Sequence, residues 1–113
     1  MKMLHHPYCT KSVAALDFLK VNDLNAEVID LTKNKPTKEF LSDLLQKLGI
    51  PAFDLVRTSE SVYLKKFEGK ILSEEEWIEA IVAHPILLQR PIFIEGEKAV
   101  IGRPVERVYE LMK

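Results

Sequence analysis

Cys9 is the only cysteine in the chain, and it stands in His5-His6-Pro7-Tyr8-Cys9-Thr10-Lys11-Ser12, where a short strand-like run gives way to a helical pattern. A helix start presents unpaired backbone N–H groups and the positive end of the helix dipole, which favour an anion and lower a thiol's pKa. Burial as a small apolar residue is the commoner fate of a lone cysteine. Polar and basic flanks instead fit a part-exposed, reactive thiolate. The second feature is arginine. Against 12 lysines the chain has four arginines, at 57, 90, 103 and 107. Arg90-Pro91 and Arg103-Pro104 bracket two β-rich apolar runs, Pro91–Ile94 and Ala99–Ile101, joined by Glu95-Gly96-Glu97-Lys98. An antiparallel hairpin brings the start of one strand beside the end of the other, so these two guanidiniums should be neighbours. Like charges held together need an anion between them, and arginine's planar fork suits a tetrahedral oxyanion better than an ammonium does. Arg107, with Glu106 and Glu110 nearby, reads instead as an ordinary surface ion pair.

The elements that must position these residues follow from periodicity. Lys2 to His5 reads as a first strand. Thr10, a plausible cap, opens a helix to about Val21, with Val13, Leu16 and Leu19 on its apolar face and Ala14, Ala15 and Phe18 widening it. Ala26 to Leu31 reads as a second strand. A right-handed crossover would lay the two strands parallel, with Cys9 at the C-terminal edge of the first, where open sheets place ligands. Thr37 caps a helix bearing Phe40, Leu41, Leu44, Leu45 and Leu48, and Gly49 stops it. Shorter helical pieces cover Phe53 to Val56 and Glu60 to Phe67. Ser73 and Glu76 form a capping box for a helix carrying Trp77, Ile78, Ile81 and Val82, which ends near His84-Pro85. Trp77 reads as core, and His84 as a complement to the helix dipole. Pro104 to Met112 closes the chain as a helix whose first position suits proline. The order is βαβ, a helical insert, then ββα.

Composition narrows the function. With 113 residues, 47% hydrophobic and 29% charged, the chain suits one globular domain. A net charge of −1 gives no electrostatic case for nucleic acid. Apolar runs of only a few residues fall short of a membrane span, and no signal-peptide pattern opens the chain, so a cytoplasmic protein with no membrane partner is expected. A single cysteine agrees with a reducing compartment. A metal held by His5, His6 and Cys9 is disfavoured, because adjacent strand residues point to opposite faces and no fourth ligand is evident. Nothing in the sequence sets an oligomeric state.

Four blocks then combine: His5-x-Pro7-x-Cys9-x-Lys11-Ser12, Leu55-Val56-Arg57-Thr58, Gln89-Arg90-Pro91-Ile92 and Ile101-Gly102-Arg103-Pro104. In this order and spacing they resemble the signature blocks of the glutaredoxin-linked arsenate reductase family, a branch of the thioredoxin-like fold with a helical insertion. The resemblance covers essentially the whole chain. It implies an α/β, thioredoxin-like domain over 1–113 with a small central mixed sheet and an insertion at about 37–88. It also implies that Cys9 is the nucleophile, that Arg57, Arg90 and Arg103 clamp the oxyanion, that His5 lies near the thiolate, and that the Arg90–Pro91 peptide bond is cis. Arg57 enters through the resemblance alone. His6 stands where the family often has asparagine, and Tyr8 is expected at the pocket rim. The implied chemistry is reduction of arsenate to arsenite, with glutathione as co-substrate, glutaredoxin as the regenerating partner and no bound cofactor.

Two further expectations concern neighbours of the thiol. His5 should raise the local positive potential, and Ser12 should either cap the helix or donate to the Cys9 sulfur. Ser12 also occupies the second position of what would be a Cys-x-x-Cys motif, so any adduct must be released by an external thiol. That argues against the alternative of an Spx-type regulator, which grips RNA polymerase and senses oxidation through such a pair. A thiol reductase of the same family acting on another oxyanion is the remaining alternative.

Overall fold

Strands β1 (Lys2–His5), β2 (Glu27–Asp30), β3 (Ile92–Glu95) and β4 (Lys98–Ile101) form one sheet in the order β2-β1-β3-β4. They belong to a computed structural model that describes residues 1–112. β1 runs parallel to β2, with His5 opposite Asp30, and antiparallel to β3, with Met3 opposite Phe93. The β3–β4 pairing is the expected hairpin, in register Ile92 with Ile101 and Glu95 with Lys98. Its turn contains Gly96 at φ 59°, a left-handed conformation that glycine adopts without steric cost.

The chain divides into two compact units, residues 1–34 with 90–112, and Lys35–Gln89. The first holds the sheet, α1 (Thr10–Val21) and a closing run of 3-10 turns over Val105–Met112. Met3, Phe93 and Val100 form an apolar row across the sheet, and Ala15 and Leu19 of α1 join them with Val108 and Leu111 in one buried cluster. The closing segment was expected as an α-helix from Pro104. Its inward residues recur every third position, at 105, 108 and 111, which is the repeat of a 3-10 helix.

The inward face of α1 also differs from expectation. Ser12, Ala15 and Leu19 are its buried residues, whereas Val13 is 40% exposed. A polar residue occupies the buried stripe because Ser12 finds hydrogen-bond partners inside, a possibility that apolar periodicity does not register. The cap shifts by one residue as well: Cys9, with extended backbone, is the N-cap, and Thr10 is the first helical residue.

The second unit follows its caps closely. α2 (Lys38–Leu48) begins with Thr37 accepting from the Phe40 N–H at 3.1 Å and stops at Gly49, φ 68°. α3 (Ser61–Lys66) is one short turn pair. α4 (Glu74–Ala83) has the full capping box, with Ser73 N–H donating to Glu76 Oε1 at 2.9 Å and Glu76 N–H to Ser73 Oγ at 3.2 Å. Trp77 is buried against Phe53, Tyr63 and Phe67. Lys38 of α2 is paired with Glu75 of α4. No helix among the described residues is long and apolar enough to cross a membrane.

Gly102 connects the hairpin to the second Arg-Pro step. Its N–H donates to Pro91 O at 2.9 Å. A Cβ placed there would collide with Cε2 of Phe93, a fully buried ring. Gly102→Ala should therefore destabilise the fold by about 1–3 kcal/mol, the usual cost of overpacking a filled core. Urea unfolding should show a lower midpoint at unchanged m-value.

Candidate active site

The N-cap position of Cys9 is set by local backbone pairing. Cys9 N–H donates to His6 O at 3.1 Å, and Cys9 O accepts from Val13 N–H at 2.9 Å, the first bond of α1. The sulfur is thus held over the helix start, with the backbone N–H groups of Ser12 and Lys11 directed at it. Cys9 is buried, at 8% exposure, rather than part-exposed as its flanks suggest, and the groups around its sulfur are N–H donors.

Both Arg-Pro steps deliver a guanidinium to this sulfur. Arg103 donates from Nη2 to Cys9 Sγ at 3.8 Å and from Nε to the Arg90 carbonyl at 2.9 Å. The buried Arg90 side chain hydrogen-bonds the same thiol. The Arg90–Pro91 bond is cis, as the resemblance implies, and the Arg103–Pro104 bond is cis as well. Burial pushes the Cys9 thiol up. The Ser12 N–H, the hydrogen bond and charge of Arg90, and the Lys11 N–H outweigh it and leave the pKa below its ordinary value.

His5 and Ser12 have roles different from those expected. His5 is buried, and that burial lowers its pKa against the opposing pull of Asp30, so the imidazole is neutral at neutral pH and adds no positive potential. Its Nδ1 lies 2.7 Å from Ser12 Oγ, and the same oxygen accepts from His6 N–H at 3.0 Å. The Ser12 hydroxyl therefore ties the first turn of α1 to the end of β1, while the Ser12 backbone N–H serves the sulfur. This clamp was the feature that sequence reasoning missed. Its one visible signal was a serine three residues before Ala15 on the inward stripe.

Of the predicted site residues, Cys9, His5, Ser12, Arg90, Pro91 and Arg103 all belong to the first unit. Arg57 belongs to the second. There its N–H donates to Leu87 O at 2.7 Å beside a Val56–Leu88 bridge, and its Nη1 pairs with Glu60 at 2.6 Å. Arg107 pairs with Glu110 at 3.1 Å, as its surroundings suggested. Tyr8 projects outward, 85% exposed, beside the His6 ring. No group of three or more potential metal ligands occurs among the described residues.

Residues 4–111 match the model of the ArsC family. The chain belongs to the ArsC family. Similar relatives include YfgD of Escherichia coli strain K12, 39% identical over 99% of this chain and 96% of that one. The arsenate reductase of Neisseria meningitidis serogroup B is 34% identical over 96% of this chain and 94% of its own. Among solved structures, an arsenate reductase from Vibrio cholerae superposes with a TM-score of 0.89 at 32% identity, covering 97% of this chain and 95% of that one. The fold of this ArsC family member is thioredoxin-like.

The lowered thiol pKa gives a direct test. Thiolate absorbance followed against pH should have its midpoint below the ~8.5 of a free cysteine. Arg90→Met should move that midpoint upward, because it removes both a hydrogen bond and a charge from the thiolate.

Proposed function

We propose that this protein reduces arsenate to arsenite through Cys9, with glutathione as co-substrate and glutaredoxin as the regenerating partner. The observation that carries the reading is the convergence of the Arg90 and Arg103 side chains on a single thiol at a helix N-terminus. Arsenate is multiply anionic near neutral pH, so a thiolate approaching it meets charge repulsion. Fixed guanidiniums offset that repulsion and stabilise the charge that develops in the transition state. The naming of relatives at 33–34% identity as arsenate reductases supports the same chemistry.

The sequence of bonds is as follows. The Cys9 thiolate attacks arsenic(V), an S–As bond forms, and one arsenic hydroxyl leaves as water after taking a proton. A glutathione thiolate then attacks the Cys9 sulfur. An S–S bond forms, the S–As bond breaks, and its electron pair stays on arsenic, which departs as arsenic(III). The two sulfurs are oxidised to a mixed disulfide, and a glutaredoxin thiolate attacks the glutathione sulfur to release Cys9. With Ser12 at the place of a second cysteine, no internal disulfide forms at any stage. An Spx-type switch would need that disulfide.

Arsenite production by the purified protein should require glutathione and rise further with glutaredoxin. Cys9→Ser should abolish turnover. Arg103→Lys should lower kcat roughly 10²-fold, the order seen when one preorganised donor is lost, since a point charge cannot reproduce the fork. Arsenate consumption without arsenite, or turnover only with another oxyanion, would redirect the assignment to a different substrate.

A further inference from the structure

A groove of about 480 Å³ opens beside the thiol, lined by Lys11 and Ala14 of α1 and by Gly102, Arg103, Pro104 and Val105 of the segment that follows β4. It lies entirely within the first unit. Arg103 belongs to both places, because the side chain that lines the groove also donates to Cys9 Sγ. The volume is that of a small-molecule site, ~300–1,000 Å³, and far exceeds what one tetrahedral oxyanion fills.

Its chemistry is uneven in an informative way. The walls are small or aliphatic, while the two long side chains are cations. Neither Lys11 nor Arg103 pairs with a carboxylate among the described residues. A lysine with no carboxylate partner among the described residues and an arginine that also reaches the Cys9 sulfur, over a trough of small and aliphatic side chains, describe the complement of an elongated, carboxylate-bearing molecule with a reactive end. The proposed reaction calls for such a molecule, because the chain has no second thiol to release a Cys9 adduct.

We infer that this groove is the binding site for the external thiol: a small peptide thiol such as glutathione lies along Ala14 and Gly102 to Val105, with a carboxylate on Lys11 and its sulfur directed at Cys9. The inference rests on the proposed requirement for an external thiol but not on arsenate as the substrate. Lys11 is then a specificity residue. It selects charged thiols over neutral ones and takes no part in oxyanion binding.

The test uses S-methylglutathione, which has the charges of glutathione but cannot react. Titrated into the wild-type protein and followed by amide NMR, it should shift Lys11, Ala14, Gly102 and Val105. Lys11→Glu should weaken binding about tenfold, and Ala14→Phe, which fills the trough from an exposed position, should do the same. In turnover, Ala14→Phe should raise the KM for glutathione while leaving that for 2-mercaptoethanol unchanged. The inference is overturned if the shifts map elsewhere, if neither variant changes affinity, or if glutaredoxin perturbs these amides and S-methylglutathione does not. Binding in the groove without arsenate reduction would keep the groove assignment and remove arsenate as the substrate.

Discussion

Placing a thiolate at the N-cap of α1, against two guanidiniums, is the constraint around which the first unit is organised. A buried guanidinium is costly unless an anion or hydrogen-bond acceptors meet it. Here Cys9, whose pKa is held below its ordinary value, supplies an acceptor, and the backbone geometry that brings the partners together is supplied by the sheet. β1 delivers the loop that ends at Cys9. β3 and β4, held in antiparallel register, deliver the two Arg-Pro steps from their adjoining ends. The Arg103 side chain then spans the gap, holding the Arg90 carbonyl with one nitrogen and the Cys9 sulfur with another. Moving any of these strands by one residue would turn a guanidinium away from the sulfur.

The neutral His5 fits this arrangement better than a charged one would. An imidazolium buried beside the loop would add a third cation, and its desolvation would oppose the fold. As a neutral ring it can share a proton with Ser12, which fixes the first helical turn whose N–H groups stabilise the thiolate. Positive charge at the site thus comes from arginines that cannot lose it near neutral pH. Orientation comes from groups that do not need charge.

Much of this was legible in the residues, for identifiable reasons. The capping signals at Thr37, Gly49 and Ser73 act through local backbone geometry, so the sequence reports them directly. The hairpin arginines were legible because antiparallel pairing converts sequence distance into proximity. The inward role of Ser12 was not, because buried polar residues depend on partners that apolar periodicity ignores. Nor was the neutral state of His5, which follows from burial that outweighs the opposing pull of Asp30 on the neighbouring strand. Arg57 was hidden for a related reason: its backbone is fixed by a single long-range bridge to residues 87–89, which no local pattern announces.

The most direct test of the account is a crystal structure of the protein grown with arsenate. Arsenic should lie within bonding distance of Cys9 Sγ, with its oxygens between the Arg90 and Arg103 guanidiniums. Arsenate bound elsewhere, or a Cys9 environment unchanged at saturating arsenate with the two guanidiniums directed away from it, would contradict the claim that this thiol and these arginines form one oxyanion site.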